Sequence, residues 1–241
     1  MKHALILGAS GDIGAAVATE LAAKGWSLYL HYHQNQTSIQ ELLARFNAAY
    51  PQQEFLSVSY DMRNNTGLTE FLQTIFEVDA VIFAQGTTDY QLLTETTSQQ
   101  LQEMWMMQIA VPIEIIKQLQ PKLARSGRGR IVFVGSVYGA VGSAMEVGYS
   151  TIKGAQSAFA NAYAREVGTL GITVNVVAPG AVDTQMNRVF SKADHQQIAA
   201  EIPIGRFAQP SEIAFWIADL TSKSASYLTG QTIYVDGGWL K

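Results

Sequence analysis

Short apolar runs recur along the chain, separated by longer stretches in which apolar residues return every three or four positions. ALIL (4–7) is the first run and predicts a buried strand. The stretch from Ile13 to Lys24 has helical periodicity and ends at Gly25. SLYLHY (27–32) predicts a second strand, and SIQELLARFNAAY (38–50) a helix stopped by Pro51. FLSVSYD (55–61) follows as a strand, LTEFLQTIF (68–76) as a helix and DAVIFA (79–84) as a fourth strand. A long helical region covers 98–124 and contains Pro112. RIVFVGS (130–136), a long helix over 149–167 and the strand ITVNVVAPG (172–180) come next. The helix PSEIAFWIADLTS (210–222) and the strand TIYVDGG (232–238) complete the series. Short apolar strands between amphipathic helices predict a mainly parallel sheet of about seven strands, with helices on both faces. This is a doubly wound α/β domain, expected to span residues 1–241 as a single unit. Only 183–205 breaks the alternation, and it is expected to form a mobile lid or a short helical insertion.

Composition narrows the class. The chain has 241 residues, 48% of them apolar and 15% charged, which suits one α/β domain with a substantial core. Its 16 basic residues against 20 acidic ones give a formal charge of -4, with no basic run to suggest nucleic acid or anionic lipid. With no cysteines, disulfides, thiolate catalysis and cysteine metal sites are excluded. His3, His31, His33 and His195 are scattered without metal-ligand spacing. The first residues lack the long apolar stretch of a signal peptide, and no apolar run is long enough to span a bilayer. A cytoplasmic protein with no membrane partner is expected.

GASGDIG (8–14) stands between the first strand and the first helix. A plain tight turn would use such glycines. So would a phosphate cradle, in which free backbone N–H groups and the helix dipole meet a pyrophosphate. Asp12 sits inside the loop, where its carboxylate would repel a phosphate. In dinucleotide-binding folds, an acid about 20 residues past the loop selects NAD by bonding the ribose hydroxyls. Here the second strand ends in His31, Tyr32, His33, Gln34 and Asn35, with no acid before Glu41. NADP(H) is therefore favoured over NAD(H), although neither Arg nor Lys stands at that corner to attract the extra phosphate.

YSTIK (149–153) places Tyr149 and Lys153 on one helix face. A phenol titrates near ~10, too high for easy proton exchange at neutral pH. A lysine cation beside it lowers that value. Tyr149 would then give a proton to a carbonyl oxygen as hydride reaches the carbon. Ser136, at the end of the preceding strand, would hold the same oxygen.

Taken together with GSVYG (135–139), NVVAPGAVDTQM (175–186), IPIGRFAQPSEIA (202–214) and YLTGQTIYVDGGW (227–239), these motifs resemble the short-chain dehydrogenase/reductase family over nearly the whole chain. The resemblance implies a Rossmann-type fold and an NAD(P)-linked oxidoreductase of ketones and alcohols. Tyr149 would be the acid/base, Ser136 the substrate anchor, and Lys153 would also bond the nicotinamide ribose. Gly8, Ser10, Gly11, Asp12, Ile13 and Gly14 would form the cofactor loop, with His33 at the adenosine ribose. Asp61 and Met62 would flank the adenine, and Pro179, Gly180, Val182 and Thr184 would frame the nicotinamide. No metal is implied.

Three positions depart from the family pattern. Asp12 stands where glycine is usual, and is expected to point away from the pyrophosphate and cap the helix starting at Ile13. The family's Asn-Ala-Gly reads Ala84, Gln85 and Gly86, which alters the polar contacts to the cofactor. The family's catalytic Asn, which holds a proton-relay water, falls at Gln108.

Among ketone reductases, the C-terminal motifs look most like 3-oxoacyl-[acyl-carrier-protein] reductases of fatty acid biosynthesis. Those enzymes often dock the acidic carrier through a basic residue just before the G-I-T-V strand, where this chain has Leu170. Arg125, Arg128 and Arg130 form a second basic corner, expected to be solvated and able to meet a carrier. MEVGYSTIKGAQSAF, LYLHYHQN and the GGW ending are instead similar to reductases of a 5-aminopentanone group on a lysine of elongation factor P. A sensor that binds NADP without turnover is a third alternative, against which the intact Ser136, Tyr149 and Lys153 argue. The family implies a homotetramer built on the long helices at 98–124 and 149–167, with the apolar ending IYVDGGWLK suited to a second interface. Met104, Trp105, Met106 and Met107 are expected in the core or against a partner subunit.

Overall fold

The computed structural model describes residues 1–189 and 191–239, apart from the side chains of 188 and 189. Its centre is a seven-stranded sheet in the order β3-β2-β1-β4-β5-β6-β7. The strands are β1 (Lys2–Leu7), β2 (Trp26–Tyr32), β3 (Phe55–Ser59), β4 (Ala80–Phe83), β5 (Arg130–Val134), β6 (Thr173–Pro179) and β7 (Thr232–Val235). Every neighbouring pair runs parallel. Parallel neighbours need crossovers, and α-helices supply them.

Strand periodicity explains how one short strand feeds two cores. Leu5 and Leu7 of β1 pack on one face, with Phe83, Phe133 and Ile115. Ala4 and Ile6 point the other way, among Leu28, Leu30, Val17 and Ile213. The first core lies under α5 (Val111–Arg125) and α7 (Val147–Val167). The second lies under α1 (Asp12–Ala23), α2 (Gln36–Ala49) and α9 (Pro210–Leu220). Phe83 and Phe133 stack across β4 and β5 with ring centroids 4.6 Å apart.

Helix ends follow local chemistry. Asn35 accepts from the Ser38 N–H and starts α2 two residues before the periodicity does. The last strand stops at Val235 because Gly237 and Gly238 turn to φ of 65° and 81°. The long helical region is three pieces: α4 (Ser98–Trp105), a π turn (Met106–Ala110) and α5. Pro112 has no N–H to offer the Gln108 carbonyl four residues back, which favours the wider turn at this point. Two further short helices are α3 (Leu68–Gln73) and α6 (Tyr138–Val141). The irregular segment carries a helical insertion, α8 (Lys192–Glu201), opened by a Ser191–Asp194 capping box; its Phe190 lies outside the described residues.

The methionine run packs as expected, and of the arginine corner only Arg130 departs from expectation. Met104 is buried, Met106 and Met107 lean on the core, and Trp105 is exposed. Arg130 is not a solvated residue. It is buried, and its guanidinium donates to the Gly129 and Ser222 carbonyls, while desolvation lowers its pKa. Arg128 pairs with Asp79 at 3.2 Å. Among the described residues, no helix is long and apolar enough to cross a membrane.

Candidate active site

Sheet order reverses between β1 and β4. Chains leaving the carboxyl ends of these strands part in opposite directions and leave a crevice. A cleft of about 760 Å³ opens there. Gly11, Asp12, Ile13, Ala84, Gln85, Gly86, Ser136, Tyr149, Lys153, Pro179, Gly180, Val182 and Thr184 all line it. Residues from five separate stretches of chain thus meet at one place.

The glycine loop owes its shape to two close approaches. Gly8 has φ of 79°, and a Cβ there would lie 2.6 Å from the Gln85 nitrogen. A Cβ on Gly14 would run into the Gly8 carbonyl oxygen. Gly8 also donates its N–H to His31 Nδ1 at 3.1 Å. His31 Nε2 must then carry the proton, which it gives to the Tyr60 carbonyl at 2.9 Å. Burial, with His33 nearby, lowers the imidazole pKa to about 4, so the ring is neutral and acts as a fixed strut.

Helix α1 begins at Asp12, with Gly11 as its N-cap and no side chain bonded to its first N–H groups. The expected Asp12 cap is therefore absent. An aspartate in the first turn has no extended cap backbone from which to reach back. Asp12 Oδ2 instead accepts the Gln185 N–H at 2.7 Å, across the cleft. The open helix end suits a pyrophosphate.

On the cleft wall, Tyr149 is hydrogen-bonded to Ser136, whose hydroxyl accepts the Tyr138 N–H at 3.2 Å. Lys153 Nζ lies 5.4 Å from the Tyr149 ring centroid. Desolvation, reinforced by Glu146 and Tyr138, pushes the phenol up to about 12 despite the Ser136 bond. The expected downward shift is thus not seen here. Lys153 is itself buried, burial lowers it to about 7, and its head is held by the Val134 carbonyl at 2.8 Å. A phenol that keeps its proton is equipped to donate it.

Gln108 does not line the cleft. It is fully buried on the π turn, with Nε2 donating to the Thr87 carbonyl at 3.2 Å. Its Oε1 and that of Gln85 have no hydrogen-bond partner among the described residues. Gly8, Ser10 and Gly14 shape the loop from outside the cleft lining. Met62 is buried in the core, so only its main chain is available to a ligand. Asp61 and His33 stand together beyond the ends of β2 and β3, 3.7 Å apart. Arg63 joins them, with Nη2 2.9 Å from Asp61 Oδ2. The end of β2 shows no cation for that corner because Arg63 reaches it from the turn after β3.

Comparison with known proteins agrees with this geometry. Residues 8–240 match a family model described as enoyl-(acyl carrier protein) reductase. The chain is 41% identical over 240 residues to an uncharacterized oxidoreductase, YmfI, of Bacillus subtilis, covering 99% of this chain and 98% of that one. It is 32% identical over 237 residues to the 3-oxoacyl-[acyl-carrier-protein] reductase FabG of Escherichia coli, covering 98% and 96%. Its fold superposes on the L-sorbose reductase of Gluconobacter frateurii, solved with NADPH and L-sorbose, with a TM-score of 0.92 at 27% identity, covering 100% and 97%.

Replacing Asp12 tests its assignment. Asp12→Ala should speed hydrogen exchange at the Gln185 amide, with a stability loss of no more than about 1 kcal/mol. A larger loss with unchanged exchange would restore the helix-cap role. The cleft, the ordered motifs and these relatives place the chain in the short-chain dehydrogenase/reductase family of oxidoreductases.

Proposed function

We propose that this protein is an NADPH-dependent reductase of ketones, with Tyr149 as proton donor. The observation that carries this is the Ser136–Tyr149–Lys153 group beneath a cleft with an uncapped helix end at its rim. The residues fit a dinucleotide: the close backbone approaches at Gly8 and Gly14 set the uncapped start of α1 at the cleft, and Gln85 and Gly86 line its wall. Gly11 to Gly14 would hold the pyrophosphate, Gln85 and Gly86 the adjoining ribose, and Pro179, Gly180, Val182 and Thr184 the nicotinamide. When bound, the nicotinamide supplies hydride. Ser136 would hold the carbonyl oxygen, and Tyr149 would hand it a proton. Lys153 would offset the charge left on the phenol. Arg63 and His33, gathered by Asp61, would take the 2′-phosphate, which supports NADPH over NADH. Gln108 would support the floor beneath Lys153.

Similarity to the Escherichia coli enzyme supports a 3-oxoacyl group on an acyl carrier as substrate. A specific observation favours the second reading, a 5-aminopentanone on elongation factor P. Glu146 and Asp89 line the cleft with Tyr90, Tyr138 and Trp239, while Lys153 is the one cation lining it among the described residues. Carboxylates and aromatic faces suit an ammonium group. Glu146 is buried and held by the Thr88 and Ser143 hydroxyls at 3.0 Å each. At the carrier-docking position, Leu170 is exposed and uncharged. We further propose that the chain assembles as a homotetramer, with the exposed Phe215, Trp216 and Tyr234 at one interface.

Three outcomes are expected. Tyr149→Phe should cut ketone-dependent NADPH oxidation by at least about 100-fold while leaving NADPH binding intact; a variant with near-normal turnover would refute the proton-donor role. Arg63→Ala should raise the NADPH dissociation constant about tenfold and leave that for NADH unchanged. Equal losses for both nucleotides would move the 2′-phosphate elsewhere. Glu146→Gln should weaken the kcat/KM for an amino ketone about tenfold or more, against little change for a neutral 3-oxoester. If both fall alike, the ammonium reading fails and the carrier reading gains.

A further inference from the structure

We propose that Gln156 is a positioning residue whose side-chain amide clamps the Lys153 ammonium to the main chain of the π turn. This rests on the reading of Lys153 as the cation beneath the proton donor. Gln156 lies one helical turn beyond Lys153 on α7 and is 1% exposed. Its Oε1 accepts from Lys153 Nζ at 3.3 Å, and its Nε2 donates to the Gln108 carbonyl at 3.2 Å. That carbonyl is the one Pro112 cannot serve. A single amide therefore satisfies two groups that burial would otherwise leave short of partners.

Both bonds bear on the lysine. A buried ammonium needs acceptors to keep its proton, and Lys153 has two protein acceptors, the Val134 carbonyl and Gln156 Oε1. The amide cannot turn over freely, because its nitrogen end is tied to the π turn. Gly86 leaves the space on the other side: a Cβ there would sit 2.9 Å from Gln108 Oε1 and 3.7 Å from Lys153 Nζ. The ionisable group beside the ammonium is Tyr149 on its own helix, and Glu146, just before that helix, and Tyr138 on α6 act on that phenol. The sheet and the π turn present uncharged amides, Gln85 and Gln108. Asp12 and Asp89 line the same cleft. Among the described residues no carboxylate bonds the ammonium directly, so the amide oxygen of Gln156 has a large share in setting where the lysine titrates.

Removing that acceptor should make the lysine lose its proton at lower pH. Burial already lowers Lys153 to about 7, so the change falls in an accessible range. The measurement is a pH titration of 13Cε-labelled lysine by NMR, on the protein without added nucleotide. The Lys153 signal is assigned by its loss in Lys153→Met. In Gln156→Leu the midpoint should fall by about one pH unit, a tenfold loss of proton affinity. In Gln156→Glu, which keeps an oxygen beside the ammonium, it should stand at or above that of the wild type. The basic limb of kcat should move in the same directions. A Leu variant that titrates like the wild type overturns the proposal, as does a Glu variant that titrates below it. Should the Leu variant not fold, the Glu variant alone decides. Failure of the reductase reading would appear separately, as absence of ketone turnover by the wild type, and would leave this titration valid.

Discussion

The contact between Gly14 and the Gly8 carbonyl governs the geometry of the whole ligand end of the sheet. Helix α1 can start directly above the end of β1 only if nothing but hydrogen stands on Gly14. Its open N-terminus is thereby aimed along the crevice between β1 and β4. Gly8 is fixed in turn by its φ of 79° and by its bond to His31. Because His31 also bonds Tyr60, the loop is tied to the ends of β2 and β3, where Asp61 and Arg63 gather. A side chain at Gly14 would disturb several parts of the site at once.

Charge in the cleft is handled by pairing rather than exclusion. Asp12 seemed out of place beside a phosphate, yet its carboxylate is engaged by the Gln185 amide on the far wall. This bond fastens the start of the irregular segment to the glycine loop. Glu146 is held by two hydroxyls close to the phenol whose pKa it helps to raise. Lys153, almost fully buried, is caught between a strand carbonyl and an amide. These three charges are anchored by neutral dipoles, so the cleft carries both signs without a salt bridge between them.

The π turn connects backbone chemistry to this arrangement. Proline at 112 deprives one carbonyl of its partner, the helix widens, and that carbonyl becomes available to a side chain from α7. A local rule of helix formation is broken at the place where two long helices meet beside Lys153.

Much of the architecture was legible in the chain itself. Alternation of apolar strands and amphipathic helices determined the doubly wound sheet, because strand and helix periods differ and each apolar face demands cover. GASGDIG, Ser136 and the Tyr149–Lys153 pair were legible for a similar reason: loop glycines and an i, i+4 pair are local signals. What Asp12, Arg63 and Gln156 touch was not. Asp12 meets a residue 173 positions away, and Gln156 one 48 positions away. Arg63 reaches the corner of Asp61 and His33 only because β3 lies beside β2. The pKa values moved against simple expectation as well, since desolvation depends on everything packed around a group and not on its sequence neighbours. Sequence determined the elements and the chemistry they carry through short-range periodicity. Partners and protonation were decided by the tertiary structure, which alone sets distance and burial.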